Sequence, residues 1–284
     1  MLSYFFSCFD RRLAFFSAVL PLIILLDVQV AEAQSQTGPE TKNVKQYELG
    51  VGFGVQNLPD YRGSKRYRSL ALPFPMVRYS GDIIQVDEKG LRSRFLLSDR
   101  LEFDISTEVS LTVGVDDNDL RNEMPALRPA FEMGPSLNIK LSSDPSSKRW
   151  TLRLPFRGVA GADFSKVERI GLVFNPQLVY QYKSAFSGVR VEARAGVLFA
   201  DNDYHNYYYS VAEKYASVSR SEFSAPGGYS GAIFKVSVKK RFEKLWLATT
   251  LRYDNLSGAT FQSSPLLESH SSYAISAGLG WFMD

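Results

Sequence analysis

The stretch Leu101–Val115, LEFDISTEVSLTVGV, alternates between apolar and polar residues over its whole length. Only Thr107 in the apolar row and Gly114 in the polar row depart from the pattern. Side chains of a strand alternate between two faces, so one face of this strand is apolar and the other carries acidic groups. At about 3.3 Å per residue the run extends roughly 50 Å, far beyond the usual strand of about 5–6 residues in a soluble sheet. It suits either a soluble sandwich or the wall of a membrane barrel, whose strands need about 9–11 residues.

The same alternation recurs along the chain, from about Tyr47 to Phe282, and it predicts about twelve strands and no convincing helix. Pro73 and Pro75 make the second strand either irregular or a weakly paired edge of the wall. Long links (57–68, 116–126, 201–228 and 256–270) alternate with short ones (80–81, 98–100 and 242–244). An even number of strands joined in this way is typical of an outer-membrane barrel. The expected fold is therefore all-β: an antiparallel transmembrane β-barrel with short periplasmic turns and longer extracellular loops.

Aromatic residues at the ends of the predicted strands support this fold class over a soluble barrel. A lipocalin-like barrel, the alternative, would turn its apolar face inward and its charges outward. Aromatic residues make up 13% of the chain, and in membrane barrels they form girdles at the two lipid–water interfaces. The predicted girdle residues are Tyr47, Trp150, Tyr180, Tyr182, Tyr253, Tyr273 and Trp281.

The N-terminus has the features of an export signal. Arg11 and Arg12 precede an apolar run, and Ala31-Glu32-Ala33 supplies small residues at the cleavage positions. The run, closed by Asp27, is short for a membrane anchor, which is the alternative. We expect a signal peptide at 1–33, a flexible lead-in at 34–45 and the barrel at 46–284. Cleavage would remove the only cysteine, Cys8, and would raise the net charge of +3 by one, too little to indicate a nucleic-acid partner.

The polar rows of the predicted strands place charges inside the barrel. Unpaired buried charge is costly, so these acids and bases are expected to pair across the lumen and plug it. The alternative is a charged channel whose acidic and basic walls select a solute. The predicted lumen charges are Glu102, Asp104, Glu108, Glu132, Lys140, Arg153, Arg157, Arg190, Glu192, Arg194, Lys235 and Arg252.

Two predicted loops carry residues for contacts with the outside. Arg62, Lys65, Arg66 and Arg68 concentrate positive charge that could bind lipopolysaccharide phosphates, or could simply keep the loop solvated. Tyrosines of the 201–228 loop could form a lid or an adhesive surface, but anchoring at the membrane interface is slightly preferred. No pattern indicates a catalytic residue, a cofactor or a metal site: the only histidines, His205 and His270, lie in loops with no serine elbow and no ligand spacing.

Five segments in order resemble the MipA/OmpV family of outer-membrane proteins. They are GVGFGVQNLPDYRGS (Gly50–Ser64), Pro73-Phe74-Pro75, VDEKG (Val86–Gly90), YYYSV (Tyr207–Val211) and SAGLGWF (Ser276–Phe282). The resemblance covers essentially the whole mature chain and implies a monomeric, non-enzymatic barrel in the outer membrane of a Gram-negative cell. Outer-membrane barrels commonly end on an aromatic residue, whereas Met283 and Asp284 follow Phe282 here.

The resemblance also implies possible roles and partners. Members of the family are described as scaffolds that link a lytic transglycosylase to a penicillin-binding protein, and others resemble adhesins or porin-like proteins. The expected function is thus envelope maintenance by docking murein-remodelling enzymes. The alternatives are a porin-like channel for small solutes and an adhesin that acts through the 201–228 loop. Expected partners are outer-membrane lipid, lipopolysaccharide and the barrel assembly machinery, with no nucleic acid.

Overall fold

A computed structural model describes residues 47–80, 84–87, 90–93, 95–96, 98–110, 118–142, 147–162 and 167–283. The expected signal peptide and lead-in lie outside the described residues. So does the end of the opening stretch, residues 111–115.

The chain folds into antiparallel strands, as the alternating pattern predicts, and the fold class is confirmed. The helix α1 spans Asn202–Tyr209, and single turns of 3-10 helix lie at Asp119–Arg121 and Glu213–Tyr215. The strands are β1 Tyr47–Pro59, β2 Tyr67–Ser80, β3 Ile84–Asp87, β4 Gly90–Ser93, β5 Phe95–Leu96, β6 Leu101–Ser110, β7 Ala130–Lys140, β8 Lys148–Ala162, β9 Val167–Phe174, β10 Gln177–Lys183, β11 Arg190–Ala200, β12 Gly228–Phe242, β13 Leu245–Asn255 and β14 Ser271–Phe282.

The strands form a sheet that closes on itself. The first strand pairs with the last, from Gly50 opposite Phe282 to Asn57 opposite Ile275. The two ends of the hydrogen-bonded order are β4 and β5, which are separated by one residue of the chain. Every neighbouring pair of described strands is antiparallel, and closure leaves them no long open edge of the kind that aggregates.

Two pairs of segments act as single passages through the wall. β4 and β5 follow one another directly, and β9 and β10 both lie between β8 and β11, separated by Asn175 and Pro176. Counted in this way, the described residues make twelve passages. The number of strands in the whole chain stays a prediction.

The two faces of the wall differ sharply in chemistry. On β6 the odd positions point outward and Val109 is 60% exposed, whereas Asp104 on the inner row is 3% exposed. The outer surface carries a belt of exposed apolar side chains on nearly every strand, among them Val51, Phe131, Phe156, Phe234, Leu251, Ile275 and Leu279. A surface of this kind is stable against lipid tails and unfavourable in water, as expected for a transmembrane barrel.

Inward-facing glycines make room for large side chains near the end of the barrel where short turns join the strands, which we call the short-turn end; the opposite end is the long-loop end. A Cβ on Gly52 would lie 2.4 Å from Cζ of Phe74, so only glycine fits beneath that ring. The Phe74 ring packs edge-to-face on Trp246, with 6.5 Å between centroids, in a cluster with Met76 and Phe282. The glycine row of β1 therefore reflects a crowded interior.

Aromatic rings lie outward at both ends of the barrel, where the girdles were predicted. Trp150 contacts Tyr180 with 4.7 Å between ring centroids at the short-turn end. Tyr253 contacts Tyr273 at 4.9 Å at the long-loop end. The side chain of Tyr47 lies outside the described set.

The prediction that the chain has no helix was wrong. Eight residues of the 201–228 loop form α1, whose first turn is capped by the carboxylate of Asp201 accepting from the backbone N–H of Tyr204 at 2.9 Å. In the described part of the chain no helix is long and apolar enough to cross a membrane.

Candidate functional site

The lumen of the barrel contains a network of paired charges centred on Arg157. Its Nε donates to Oε2 of Glu132 at 2.9 Å, and its Nη2 to Oε2 of Glu108 at 3.2 Å. The remaining nitrogen donates to Oγ of Ser106 at 3.2 Å. Four strands, β6, β7, β8 and β12, meet here, because Lys235 Nζ lies 3.9 Å from the second oxygen of Glu108. A buried guanidinium with three such partners is stabilising only as a complete set.

Further pairs continue the network towards the short-turn end. Arg153 lies 3.8 Å from Asp104 and donates to Oδ1 of Asn138 at 3.0 Å. Lys140 lies 3.8 Å from Glu102. Acidic side chains of β6 therefore pair with basic side chains of β8, across the intervening strand β7.

On the opposite wall, Arg252 and Asp254 form a pair within β13. Arg252 donates to both carboxylate oxygens of Asp254, at 2.8 and 2.9 Å. Oδ1 of Asp254 also accepts from Nε of Arg62 at 2.8 Å, and Arg62 donates to Oγ of Ser230 at 3.1 Å. Because Arg62 belongs to the loop after β1, this cluster ties the wall to the loops above it.

The long loops fold over the outer mouth and pack into a single hydrophobic cluster, which we call the cap. Tyr209 and Phe261 are at most 2% exposed, and their rings stack with 3.6 Å between centroids at an interplanar angle of 5°. Tyr61, from the loop after β1, packs edge-to-face on Tyr209 and donates to the carbonyl of Leu266 at 2.7 Å. Four loops thus contribute to the cap, whose buried side chains are Tyr61, Leu127, Tyr204, Tyr208, Tyr209, Ala225, Leu256, Ala259 and Phe261.

Two buried arginines fasten the loops of the cap to one another. Arg121 donates to the carbonyl of Tyr208 at 2.9 Å, and Arg220 donates to the carbonyls of Leu120 and Asn122 at 2.8 and 3.0 Å. Their partners are backbone carbonyls, so each guanidinium satisfies hydrogen-bond acceptors in the backbone of a neighbouring loop. The two loops, 118–129 and 201–227, are therefore held as one unit.

His205 lies at the centre of the cap and is completely buried. Its Nδ1 is 2.6 Å from the carbonyl of Pro226, so this nitrogen carries the proton, and its Nε2 has no partner in the described chain. Burial lowers the pKa of His205, and burial raises the pKa of Tyr208 and Tyr209 well above the ordinary value. The cap is therefore neutral at its centre.

A cavity of about 1150 Å³, a volume that includes space open to solvent, lies between the cap and the charged wall. The phenol rings of Tyr204, Tyr208 and Tyr209 line its outer side. Apolar residues such as Leu198 and Ile233 line part of the rest, and charged groups line the remainder, with Glu108, Glu132 and Asp254 facing Arg157, Arg194, Lys235 and Arg252. The lining of the space is mixed, and its acids and bases are present in similar numbers.

The structure places most of the predicted lumen charges on the inner face, and it separates one of them from the network. Arg194 pairs with Glu192 on the same strand at 2.5 Å, and Glu192 also accepts from Gln181. Arg190 is exposed at the short-turn end and makes no ion pair with a described residue. Each predicted acid and base apart from Arg190 thus forms an ion pair with a described residue.

The basic loop proposed to contact lipopolysaccharide does not form one outward patch. Arg62 reaches inward to Asp254, and Arg68 pairs with Asp60, whose Oδ1 is 2.5 Å from the Nε of Arg68. Lys65 is exposed, and its backbone N–H donates to Glu268. The buried tyrosines of α1 likewise correct the preference for membrane-interface anchoring in that loop: they pack inside the cap.

Sequence reasoning missed the residues that connect cap and wall. Asp60 and Asp254 are each 3% exposed and each bind an arginine. Asp254 could have been found, because it lies two residues after Arg252 in the inner row of β13. His205 could not, since burial of a loop residue depends on how several loops pack. The described residues contain no cluster of potential metal ligands.

A closed antiparallel barrel with an apolar outer belt, girdles at both ends and a polar interior defines an outer-membrane β-barrel protein. A family model described as "MltA-interacting protein MipA" matches residues 51–283. The chain belongs to the MipA family, and the resemblance seen in the sequence is confirmed. No curated protein sequence gives a significant match.

Solved structures with a similar arrangement of strands include three outer-membrane proteins. The NanC porin has a TM-score of 0.37 and 8% identity, with 83% of this chain and 98% of that chain covered. An outer membrane channel from Pseudomonas putida F1 has a TM-score of 0.41 and 12% identity, covering 88% and 100%. LpxR from Salmonella typhimurium has a TM-score of 0.41 and 10% identity, covering 82% and 100%. At these values no residue role transfers to this chain.

Proposed function

We propose that the protein is a closed, non-enzymatic barrel that docks murein-remodelling enzymes at the inner surface of the outer membrane. The first partner would be a lytic transglycosylase of the MltA type, and a penicillin-binding protein would be the second. The description of the family, which names interaction with MltA, supports the first of these partners.

The observation that carries the proposal is the capped and ion-paired lumen. A transport protein needs a continuous polar path, and here the loops cover the outer mouth with a fully buried aromatic cluster. Below the cap, Arg157 is occupied by three side chains on two other strands. A barrel built in this way supports a role for its surface rather than for its interior.

Docking is tested directly by cross-linking in intact envelopes. We expect the transglycosylase to be recovered with this barrel well above its level with an unrelated barrel of similar size. Equal recovery of murein enzymes with both barrels would reject the docking function. Purified components then show whether the contact is direct and whether one barrel binds one enzyme.

The cavity beneath the cap, which charged side chains line in part, favours a second candidate, a channel for small solutes. Single-channel recording on refolded protein separates the two functions. A closed barrel gives no steady conductance, and Arg153→Ala or Glu108→Ala leaves that baseline or adds leak. Steady conductance that either substitution abolishes would establish the channel and reject the plugged lumen.

An adhesin acting through the 201–228 loop is supported only by the tip of that loop. Its tyrosines lie mostly in the cap, whereas Val218 is fully exposed. Replacing Val218 by aspartate, which leaves Arg220 in place, should leave host-cell binding and enzyme docking unchanged if the barrel is a scaffold. Loss of cell binding with docking intact would identify an adhesin.

Export through a cleaved signal peptide and insertion by the barrel assembly machinery belong to the same proposal. N-terminal sequencing of protein from outer membranes should begin near Gln34, and depletion of the assembly machinery should leave the chain unfolded in the periplasm. Lipopolysaccharide contact through Lys65 and Arg66 is tested by substituting both and measuring heat stability with and without lipopolysaccharide. An unchanged difference would reject it.

A further inference from the structure

Three cations lie side by side at the short-turn end, and we call them the basic mouth: Arg149, Lys183 and Arg190. Lys183 and Arg190 are directly opposite each other on β10 and β11. Arg149 on β8 is opposite Gln181, which makes it a diagonal neighbour of Lys183. All three side chains are exposed.

The basic mouth belongs to the inner rows of its strands. Gln181 and Lys183 share one face of β10, and Glu192, on the same face of β11 as Arg190, binds Gln181 inside the lumen. These cations therefore line one side of the opening of the barrel and do not face the surrounding lipid. Phosphate groups of the neighbouring leaflet are not their natural partners.

Among the described residues, the basic mouth differs from the deeper lumen because its cations have no acidic partner. Deeper in the barrel, Arg153, Arg157, Arg194 and Arg252 each have a carboxylate within 3.8 Å. Within the described ranges Arg149, Lys183 and Arg190 form no salt bridge. Like charges directly opposite each other destabilise a sheet, so the arrangement favours an anion that arrives from outside the chain.

An exposed aromatic ring stands beside these cations. Phe186 lies at the tip of the turn between β10 and β11, and its side chain is fully exposed. The turn itself is ordered by two hydrogen bonds, from Ser184 N–H to the Val189 carbonyl at 2.9 Å and from Ser187 N–H to Ser184 Oγ at 3.2 Å. A phenylalanine on a fixed turn, rimmed by charge, has the composition of an interface hot spot.

We infer that the basic mouth and Phe186 form the docking surface for the lytic transglycosylase. They would bind an acidic surface of that enzyme that also offers an apolar recess for the phenyl ring. This rests on the proposed function and names the part of the barrel that performs it. Stem peptides of murein also carry carboxylates, but the glycan strand offers no apolar recess that would bury Phe186. A protein partner uses both features, so it is favoured.

The test uses the full barrel refolded in lipid nanodiscs and the soluble, unacylated form of an MltA-type lytic transglycosylase as the probe. The first variant combines Arg149→Gln, Lys183→Gln and Arg190→Gln, and the second is Phe186→Ser. Lys214→Gln and Val218→Ser are matched controls, because both residues are exposed on the opposite, long-loop end. Resistance of the folded band to unfolding on gels shows that each variant is intact.

We expect Phe186→Ser to weaken binding by about tenfold or more, as for a central hot spot. The triple variant should bind weakly and lose most of the salt dependence shown by the wild-type barrel. The two controls should bind like wild type.

The outcomes distinguish this surface from the function itself. If the wild-type barrel does not bind the enzyme, both the docking function and this surface are rejected. If the wild type binds and the triple variant and Phe186→Ser bind equally well, the enzyme docks elsewhere and only the surface is rejected. If purified muropeptides bind and the triple variant loses them while enzyme binding persists, the mouth recognises murein and the protein-docking assignment is overturned.

Discussion

Replacing Phe261 by alanine should open the cap without unfolding the barrel. Phe261 is completely buried, stacks on Tyr209 and meets the ring of His205 edge-to-face at 4.8 Å. A Phe→Ala change in a packed cluster costs about 3–5 kcal/mol. Because the cap is built from loops and the wall from paired strands, the loss falls on local opening of the cap.

The free-energy cost of Phe261→Ala can be expressed as a change in the ratio of molecules with an open cap to molecules with a closed cap. At about 1.4 kcal/mol per factor of ten, the expected cost raises the ratio of open to closed cap by roughly 10²–10⁴. Arg220 reports this opening, because it is 8% exposed and bound to three backbone carbonyls when the cap is closed. Trypsin should therefore cut after Arg220 far faster in Phe261→Ala than in wild type.

Two assays on the same refolded samples check the reasoning. Trypsin cleavage followed by mass spectrometry gives the rate at Arg220, and planar-bilayer recording shows whether an open cap admits ions. Val218→Ala is the control, since Val218 lies in the same loop and is fully exposed. Equal cleavage rates in Phe261→Ala and wild type would refute the view that this aromatic cluster holds the cap.

Three further predictions follow from other parts of the structure. Arg157→Ala should lower the free energy of unfolding by about 3–5 kcal/mol, because it leaves Glu108 and Glu132 without their shared partner. Urea unfolding in vesicles measures this change. Arg169→Ala, at an exposed ion pair, is the control and should change the free energy of unfolding by less than about 0.5 kcal/mol. Burial depresses the pKa of His205 below its ordinary value of 6.5. The stability that neutral His205 provides is therefore present above pH 6.5 and is lost as pH falls through the pKa of the folded state. Trypsin protection at Arg220 should decline below pH 6.5, and persistence of that decline in His205→Asn would show that another group is responsible. Gly134→Ala should destabilise the barrel by roughly 1–3 kcal/mol, because the new Cβ would lie 2.1 Å from the carbonyl oxygen of Phe156. Gly158→Ala, whose new Cβ would have its nearest contact at 3.8 Å, is the matched control. Equal stability of both variants would contradict the close approach at Gly134.

The wall of the barrel could be predicted from the sequence because a strand has a period of two. Once Leu101 and Phe103 were placed outward, Glu102 and Asp104 had to point inward, and the burial along β6 follows this order up to Ser110. The meeting of the acidic row of β6 with the basic row of β8 also depends only on strand order and parity. The pairs of Arg153 and Arg157 with Asp104 and Glu108 are its result.

The cap could not be predicted in the same way. Helix α1 consists of asparagine, tyrosine, aspartate and histidine, which have low helix propensity, and eight residues are too few for an isolated helix. It forms because Tyr204 and Tyr208, one turn apart, bury their rings against other loops. Such packing between loops distant in the sequence leaves no local pattern.

The pairing of β1 with β14 has a consequence for how the protein is made. Gly50 and Phe282 are opposite each other, although more than 200 residues of chain separate them. Closing so long a loop is entropically costly and slow, and until it happens both terminal strands present unpaired backbone edges. The nascent chain must therefore be kept from self-association through the whole of its passage across the periplasm. The barrel is complete only when the last strand reaches the first.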